Sequence, residues 1–394
     1  MIEGYSILCF APDPWDAIWR NRHHLLTVFA ERNQVMYVEP RTYLRETLAQ
    51  LKSGLPRPAG RRVTQARPGL YVYRNLWYAP ISGRFPLKQI TAALRVGSLR
   101  RWLRRLGFGR PILWLCRPEM GDLVGQFDEI LVLYQVVDEY SAYAGVADRA
   151  GVQAREQALL RRADLVITTA PALYESKRPY NPNTHLVPNA VNYEAFSRVY
   201  EAGGPPPADL AGLRRPVAGY VGAINAKLDL ELLATFAQAR PDWTLALVGP
   251  LDAPADEPGL ASLRRLPNVH FLGKKPAEEV PRYMLGMDVC LLPYKRNEWT
   301  RNISSLKLYE YLACGKPVVC SDVPAARQHA DVVAIAGDAA QFVEMTVQAA
   351  GDMSAAAVGR RRALAAQNTW RQRVEQISQL IETTLRQKPA SRRR

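Results

Sequence analysis

Val217-Ala-Gly-Tyr-Val-Gly-Ala-Ile-Asn225 runs from an apolar segment to a glycine and then toward a helical pattern over residues 228–238. Buried apolar strands that alternate with helices are typical of a parallel sheet covered on both faces. At the turn, Gly222 leaves room for backbone N–H groups to approach an anion, and the dipole of the following helix adds to the attraction. We expect the first strand and turn of a phosphate-binding α/β domain here, with Gly222 and Asn225 at the anion; an ordinary tight turn is the alternative.

The same alternation continues on both sides of this stretch. After it, apolar runs predict strands at 243–248, 269–272, 289–292, 317–320 and 332–335, and helical patterns lie at 277–285, 306–313 and 339–350. Before it, strands are predicted at 5–10, 34–38, 70–73, 112–115, 129–134, 164–169 and 185–187, with helices at 20–32, 86–106, 151–162 and 171–177. Residues 50–69 hold three Pro and three Gly and predict a surface loop.

The clearest linker is EAGGPPP at 201–207, since Pro and Gly interrupt both helices and central strands. Two α/β domains suit a chain of 394 residues with 48% hydrophobic and 23% charged residues. Ligands of such sheets bind outside the carboxyl ends of the strands, so we expect a cleft between the two domains to hold the ligand.

The most informative segment is Asn302-Ile-Ser-Ser-Leu-Lys-Leu-Tyr-Glu-Tyr-Leu-Ala-Cys-Gly-Lys-Pro-Val-Val319. Ser304 or Ser305 can cap the helix that follows, which leaves N–H groups to bind phosphate. Lys307 and Glu310 are three residues apart and share one helix face. There Lys307 would meet phosphate oxygens, and Glu310 would accept hydrogen bonds from the vicinal hydroxyls of a ribose. The alternative is an ordinary ion pair on a surface helix.

Metal ligands are not expected, because the chain has no Asp-x-Asp pair and its five His form no ligand-spaced cluster. The charge of a departing diphosphate would then be met by Lys227, Lys307 and helix N-termini. A solvated Lys227 is the alternative.

Two residues of the first half could take part in a reaction of the bound ligand. Asp138 follows a predicted strand, so its carboxylate would face the ligand and could act as a general base. A helix cap or a surface loop is the alternative for Asp138. His24 could orient an acceptor, although a histidine next to Leu25 and Leu26 is also explained by packing.

The net charge of +15 comes from one region. Residues 41–117 contain 17 Lys and Arg and a single acid, Glu46, whereas the rest of the chain is neutral to within one charge. Around Leu99, a stripe of Trp102, Leu103 and Leu106 predicts the apolar face of a helix that lies on an anionic membrane surface, each cation adding about 1 kcal/mol. The predicted membrane-surface residues are Arg100, Arg101, Trp102, Arg104 and Arg105. A core-facing stripe with solvated arginines is the alternative, and we do not expect nucleic acid, because no recognition module of that kind is visible.

The five Cys include no CxxC pair and predict buried free thiols in a reducing compartment. Met1 to Phe10 lacks the basic and apolar regions of a signal peptide, and no window approaches about 18 consecutive apolar residues. We expect a cytoplasmic protein, peripheral on the inner face of the cell membrane.

Several of these segments resemble the donor half of bacterial GT-B glycosyltransferases, particularly the large family 4 group and its exopolysaccharide relatives. The resemblance lies in Val187-Pro-Asn-Ala-Val-Asn192, Gly219-Tyr-Val-Gly-Ala223, Leu245-Ala-Leu-Val-Gly249, Val269-His-Phe-Leu-Gly-Lys274, Met287-Asp-Val-Cys-Leu-Leu-Pro-Tyr294 and Leu308-Tyr-Glu-Tyr-Leu-Ala-Cys-Gly-Lys-Pro-Val318. In the first half, Pro14-Trp-Asp-Ala-Ile-Trp19 with Arg22-His-His24, and Tyr37-Val-Glu-Pro40, resemble one subgroup more loosely.

The resemblance implies an α/β fold of GT-B architecture, with two Rossmann-like domains facing each other across a cleft. Residues 1–190 would bind the acceptor, residues 208–369 would bind the donor, and a helix at 370–386 would cross back onto the first domain. Glu310 would match the second glutamate of the family's Glu-x7-Glu motif, while Asn302 replaces the first, which leaves the stereochemical outcome open. The resemblance also implies that Lys274 lies by the base and that Tyr294 lines the nucleotide pocket.

The function expected from the sequence is metal-independent transfer of a sugar from a nucleotide-diphosphate sugar, a UDP-sugar above all, to a lipid-linked or polysaccharide acceptor at the membrane surface. No other cofactor is expected. A nucleotide-sugar epimerase of the same fold is one alternative. A catalytically inactive scaffold that binds a membrane or another polyanion is a second.

Overall fold

The apolar runs of the sequence form two predominantly parallel sheets in the computed structural model, which describes residues 1–44, 47, 61–83, 85–143 and 145–388. The chain divides into one unit of Met1–Val187 with Arg373–Arg394 and a second unit of Pro188–Gln372. Each unit has a sheet of its own with helices between its strands.

The first unit contains eight strands in the part of the chain that is described, in the order β3-β4-β2-β1-β5-β6-β7-β8. The strands are β1 Ser6–Phe10, β2 Gln34–Val38, β3 Val63–Arg67, β4 Leu70–Tyr73, β5 Pro111–Leu115, β6 Leu131–Val136, β7 Leu165–Thr168 and β8 Thr184–Leu186. The helices are Asn21–Phe29, Leu87–Arg105, Arg149–Arg162 and Pro171–Lys177, with 3-10 turns at Pro118–Leu123 and Tyr140–Ala142. Neighbouring strands are parallel except β3 and β4.

The second unit has six described strands, all parallel, in the order β11-β10-β9-β12-β13-β14. Counted from its first strand, this order is 3-2-1-4-5-6, the order of a Rossmann fold. The strands are β9 Val217–Val221, β10 Thr244–Val248, β11 Val269–Gly273, β12 Val289–Leu292, β13 Val318–Ser321 and β14 Ala334–Ala336. The helices are Tyr193–Ala202, Ala208–Ala211, Leu230–Ala239, Leu260–Arg265, Val280–Gly286, Glu298–Arg301, Leu306–Ala313, Pro324–Arg327, Ala339–Ala349, Ala355–Ala366 and the start of Trp370–Gln387.

Central strands of both sheets bury every residue, which is why their sequences are continuous apolar runs rather than alternating ones. This holds for β1, β5, β6, β9 and β10. The prediction of an α/β fold with two Rossmann-like domains is confirmed by the two sheets and their strand order.

The last helix, Trp370–Gln387, packs mainly on the first unit. It buries Val374, Ile377 and Ile381. The Gln376 side chain donates a hydrogen bond to the Leu186 carbonyl oxygen at 3.1 Å. Just beyond the helix, the Lys388 ammonium lies 2.6 Å from the Asp164 carboxylate.

One prediction is wrong: the described part of the predicted loop at 50–69 contains strand β3, which pairs antiparallel with β4. The strand escaped notice because its outer residues are exposed at the sheet edge and carry no apolar run. Residues 50–60 of the predicted loop, and residues 389–394 at the end of the sequence, lie outside the described residues.

Candidate functional site

The strand order of the second unit reverses between β9 and β12. Ligands of open α/β sheets bind at such a switch point, outside the carboxyl ends of the strands. Gly222 follows β9, and Tyr294 follows β12 by two residues. Two segments that the sequence singled out therefore begin on the two sides of the switch point.

Two glycines bring the chain unusually close to itself at this edge. Gly222 and Gly249, after β9 and β10, have φ values of +153° and +145°. A Cβ atom on Gly249 would lie 1.9 Å from the Gly222 carbonyl oxygen, so no other residue fits without moving the backbone. The edge between these strands therefore presents backbone rather than side chains to a ligand.

Lys227 lies in the loop between β9 and the next helix. The helix after β9 begins at Leu230, and Asp229 caps it by accepting a hydrogen bond from the Leu232 N–H at 2.9 Å. Lys227 therefore precedes the helix, which begins two residues later than the predicted start at 228. The Asp229 carboxylate at that helix end offsets the attraction of the helix dipole for an anion, so phosphate binding here would depend on the backbone at Gly222 and Asn225.

The loop that carries Lys227 is held by its own hydrogen bonds. The Asn225 side-chain oxygen accepts a hydrogen bond from the Lys227 N–H at 3.2 Å. The Lys227 ammonium lies 4.9 Å from the centre of the Trp299 ring, a cation–π distance. Trp299 is not among the residues predicted from the sequence. Only its contact with Lys227 in the folded protein points to it.

Ser305, and not Ser304, caps the helix Leu306–Ala313. Its Oγ accepts a hydrogen bond from the Leu308 N–H and lies 2.8 Å from the Tyr294 hydroxyl. Burial raises the pKa of Tyr294, so this side chain stays a neutral phenol. The cap and the tyrosine thus join the end of β12 to the start of the helix.

Ser304 instead fixes Asn189 of the segment Val187-Pro-Asn-Ala-Val-Asn192. The Asn189 N–H donates to Ser304 Oγ at 3.2 Å, and the Asn189 side-chain amide donates to the Ser304 carbonyl oxygen at 2.6 Å. The Asn189 side-chain oxygen is buried and has no hydrogen-bond partner among the described residues. A buried acceptor of this kind is available to a donor group of a ligand.

Lys307 and Glu310 lie together on the first turns of the same helix. The Lys307 ammonium is 2.6 Å from the Glu310 carboxylate, and the two side chains are 27% and 15% exposed. The ion pair named as the alternative is therefore present. Both groups remain partly accessible, and Glu310 adds its charge to the burial that raises the pKa of Tyr294.

Asn302 and Lys274 lie in different surroundings. Asn302 is buried at the end of the helix Glu298–Arg301, where its side chain donates to the Glu298 carbonyl oxygen at 2.7 Å. Lys274 is exposed directly after β11, while the adjacent Lys275 is paired with Asp209 at 2.6 Å.

In the first unit, Asp138 lies two residues beyond β6, at the carboxyl edge of that sheet. Its carboxylate accepts a hydrogen bond from the Tyr143 hydroxyl at 2.7 Å. Burial raises the pKa of Tyr143 and keeps this donor protonated. The Arg117 guanidinium, just after β5, lies over the rings of Tyr140 and Tyr143 at 4.7 and 5.3 Å.

His23, rather than the predicted site residue His24, is the buried histidine of the pair. Its Nδ1 accepts a hydrogen bond from the Arg20 N–H at 3.0 Å, and its Nε2 lies 3.2 Å from the Tyr37 hydroxyl. Burial, with the charge of Arg22 second, lowers the pKa of His23 to about 4. His24 is half-buried, with its ring 5.1 Å from that of Trp19.

A buried ion pair adjoins His23. Arg22 is almost fully buried and pairs with Asp13, while its Nε atom has no hydrogen-bond partner among the described residues. The Tyr37 hydroxyl donates to the Asp13 carbonyl oxygen at 2.8 Å. A buried arginine has no signal in the sequence, because Arg is usually exposed.

The stripe of the basic helix faces the interior, contrary to the membrane-facing role predicted for it. Leu99 and Leu103 are buried in the core of the first unit, and Trp102 and Leu106 pack against the same core. The arginines of this helix are on its outer side, where Arg100, Arg101, Arg104 and Arg105 are exposed. The stripe is buried because the sheet needs an apolar cover, and this helix supplies it.

The described residues contain neither a metal-ligand cluster nor a helix that could cross a membrane. No three His, Cys, Asp or Glu side chains are close enough there to hold a metal ion. None of the described helices combines the length and the hydropathy needed to span a membrane. All five Cys are buried and unpaired.

The second unit is similar to a known protein family, and the whole chain is similar to solved structures. Residues 215–352 match the family described as Glycosyl transferases group 1. Sucrose-phosphate synthase from Thermosynechococcus elongatus has the same fold, with a TM-score of 0.69 and 19% identity over 98% of this chain and all of that one. The chain therefore has the fold of the GT-B glycosyltransferases, and the match to the group 1 family lies within its second unit.

Two further proteins are similar to this chain. The putative teichuronic acid biosynthesis glycosyltransferase TuaH of Bacillus subtilis (strain 168) is 32% identical over 226 residues. That match spans 55% of this chain and 56% of TuaH, a little over half of each protein. Anabaena Alr3699/HepE, solved in complex with UDP and glucose, has a TM-score of 0.65 and 16% identity over 96% of this chain and all of its own.

Proposed function

We propose that this protein transfers a sugar from a nucleotide-diphosphate sugar, a UDP-sugar in the first place, to a lipid-linked or polysaccharide acceptor. The observation that carries the proposal is the cluster at the switch point of the second unit. The Ser305 cap, the Tyr294 hydroxyl and the Lys307–Glu310 pair lie at the start of one helix, and Tyr311 of that helix accepts a hydrogen bond from the Val221 N–H at the end of β9. Two relatives support the ligand and acceptor classes: HepE was solved with UDP, and TuaH is named as a putative glycosyltransferase of teichuronic acid biosynthesis.

Each donor-binding residue has a role that its chemistry suits. Glu310 accepts hydrogen bonds from the ribose hydroxyls, and Lys307 and Lys227 bind the diphosphate. The backbone at Gly222 and Asn225 approaches the phosphates. Lys274 and Tyr294 border the nucleotide base.

The reaction breaks the bond between the sugar and the diphosphate and forms a bond to an acceptor oxygen. The departing diphosphate gains negative charge, which the two lysine ammonium groups and the N-terminus of Leu306–Ala313 stabilise. In the first unit, Asp138 takes the proton of the acceptor hydroxyl as a general base, and the Tyr143 hydroxyl holds its carboxylate in place. His24 orients the acceptor.

The proposal includes transfer without a metal ion and action at the inner surface of the cell membrane. The absence of an Asp-x-Asp pair in the sequence and the supply of lysines at the donor cluster support the first part. The excess of basic residues between 41 and 117 supports the second.

The first experiment is a thermal-shift panel of UDP, GDP, ADP and dTDP with the full chain, followed by calorimetry of the nucleotide that stabilises it. We expect UDP to raise the melting temperature most. Release of the nucleoside diphosphate from its sugar is then measured with and without EDTA, and the rate should not depend on EDTA. If no nucleotide binds, the proposal is wrong; if the donor alone yields a new nucleotide sugar, the protein is an epimerase.

A further inference from the structure

Exposed large apolar side chains are concentrated in one short stretch of the first unit. Of the ten such side chains among the described residues, five lie between Tyr78 and Leu94: Tyr78, Phe85, Leu87, Ile90 and Leu94. Phe85 is 78% exposed and Ile90 is 54% exposed. Single exposed apolar residues are common on protein surfaces, but a contiguous group usually marks a binding site.

Three of these residues lie on the outer face of the helix Leu87–Arg105. Leu87, Ile90 and Leu94 are spaced by three and four residues, so they point to the same side. Arg101, seven residues after Leu94, continues that face, and it is exposed together with Arg104 and Arg105. We call Phe85, Leu87, Ile90 and Leu94, with Arg101, Arg104 and Arg105, the outer face of this helix.

The outer face is distinct from the stripe that packs inward. Leu99 and Leu103 of the same helix are buried in the core, which fixes the rotation of the helix about its axis. The helix cannot roll to exchange its two faces, because that would expose the core residues to water. The apolar residues at its first turns therefore face outward in the folded protein.

The charge of the helix restricts what can cover this face. Residues 87–105 contain six Lys and Arg and no acid, and the only acid of the whole region 41–117 is Glu46. A partner must carry negative charge opposite the arginines and must also give Leu87, Ile90 and Leu94 an apolar environment. An anionic lipid bilayer provides both within one surface, since phosphates lie directly above acyl chains. Nucleic acid provides the phosphates but no apolar phase for these side chains.

We propose that the outer face of the helix docks on an anionic bilayer. Phe85, Leu87, Ile90 and Leu94 enter the boundary between headgroups and acyl chains, and Arg101, Arg104 and Arg105 bind lipid phosphates. The inference rests on the proposed function only in that a lipid-linked acceptor would be presented at this surface. The membrane-binding residues proposed here lie on another side of the helix from the Trp102 stripe predicted from the sequence.

Co-sedimentation of the full chain with vesicles tests the proposal. The wild type should bind vesicles of equal parts phosphatidylglycerol and phosphatidylcholine, and salt should weaken that binding. Replacing Leu87, Ile90 and Leu94 together by Gln, which keeps helix propensity, should weaken binding about tenfold or more. Replacing Arg101, Arg104 and Arg105 by Gln should remove the preference for anionic over neutral vesicles.

Matched controls lie on the second unit. Met353→Gln changes an exposed apolar residue, and Arg264→Gln with Arg265→Gln removes two exposed cations. Both control variants should bind vesicles like the wild type. Equal vesicle binding by the wild type and the triple apolar variant would overturn the proposal, and so would saturable binding to an RNA or DNA oligonucleotide with none to vesicles.

A spectroscopic readout reports insertion directly. All five native Cys are buried, so a Cys introduced at position 90 by Ile90→Cys can be labelled selectively with a polarity-sensitive fluorophore. Its emission should shift to the blue on adding anionic vesicles, whereas a label on Met353→Cys should not respond. If the label at position 90 does not shift either, the face does not insert and the proposal fails.

The two proposals are separated by the nucleotide assay. The triple apolar variant should keep its wild-type melting temperature and its stabilisation by UDP, because the outer face lies in the first unit and the donor cluster in the second. Loss of vesicle binding with intact UDP binding supports docking. Failure of UDP to bind any of the proteins concerns the proposed function alone.

Discussion

The Lys307 ammonium lies 2.6 Å from the Glu310 carboxylate, so the two charges at the start of the helix Leu306–Ala313 neutralise each other before any ligand arrives. An ion pair that is this accessible stabilises the fold by about 1 kcal/mol or less. A sugar nucleotide can therefore separate the two groups at little cost. Its diphosphate then replaces the carboxylate at Lys307, and its ribose replaces the ammonium at Glu310.

We expect Glu310→Ala to weaken UDP binding by about 10- to 100-fold, because the ribose loses hydrogen bonds to a charged group. Lys307→Ala should weaken it to a similar extent and should also reduce its salt dependence. Isothermal titration calorimetry measures both. Glu175→Ala is the control, because it breaks another i,i+3 ion pair, with Arg178, on the first unit. Wild-type affinity in both site variants would show that the pair is only structural.

The close approach of Gly249 to Gly222 predicts a severe effect of a single methyl group. Gly249→Ala would place a Cβ atom 1.9 Å from the Gly222 carbonyl oxygen and should destabilise the protein by more than about 2 kcal/mol. Thermal and denaturant unfolding measure the change. Gly359→Ala has open space around its Cβ in the middle of a helix and should stabilise by about 0.5–1 kcal/mol. Unchanged stability in Gly249→Ala would contradict the backbone geometry.

Asp138→Asn should lower the rate of transfer to an acceptor by about 10²- to 10⁴-fold, as expected for loss of a general base. UDP binding should not change, because Asp138 and the donor cluster belong to different units. Tyr143→Phe removes only the hydroxyl that donates to Asp138 and should have a smaller effect on the same rate. If Asp138→Asn transfers sugar at the wild-type rate, another group is the base.

His23 predicts a pH dependence of stability. Its pKa is about 4 in the folded protein, against 6.5 for an ordinary histidine. Between these values the unfolded chain binds a proton that the folded chain does not, so the free energy of unfolding falls as the pH drops from 6.5 to 4. The loss amounts to about 3 kcal/mol. Above pH 6.5 the imidazole is neutral in both states and makes no difference.

Denaturant titrations at several pH values test this dependence. His23→Gln should lack the part of the slope that belongs to His23, although its stability at neutral pH falls through lost packing. A His23→Gln protein with an unchanged slope would mean that other groups cause the acid sensitivity.

Much of the fold could be predicted from the sequence because buried strands have a simple signature. Strands β1, β5, β6, β9 and β10 are continuous apolar runs, and the structure buries every one of their residues. Strand β3 has no such signature, since it is an exposed edge whose pairing with β4 supplies the order. Its Pro-, Gly- and Arg-rich surroundings indicated only a loop.

The candidate site was less predictable, because it depends on which of two neighbouring residues turns inward. His23 and His24 are adjacent and chemically identical, and only the helix start at Asn21 directs His23 toward Tyr37. By sequence, Ser304 and Ser305 are equally good helix caps. In the structure Ser305 is the cap, and the Tyr294 hydroxyl contacts it. On the basic helix the sequence predicts an apolar stripe, and the stripe is present. The sequence does not show whether that stripe faces the core or a membrane, and in the structure it packs on the core.

Glu139, the residue next to Asp138, forms a buried ion pair that holds the backbone of both residues in place. Glu139 turns inward to the buried Lys177, whose ammonium is 2.7 Å away and also binds Glu156 at 2.8 Å. This buried clamp ties the chain after β6 to the helix Pro171–Lys177, and it fixes the backbone position from which Asp138 projects. Lys177→Met would leave the buried carboxylates of Glu139 and Glu156 without their cation. The backbone at Asp138 would then be held less firmly, although Lys177 itself has no role in binding the substrate.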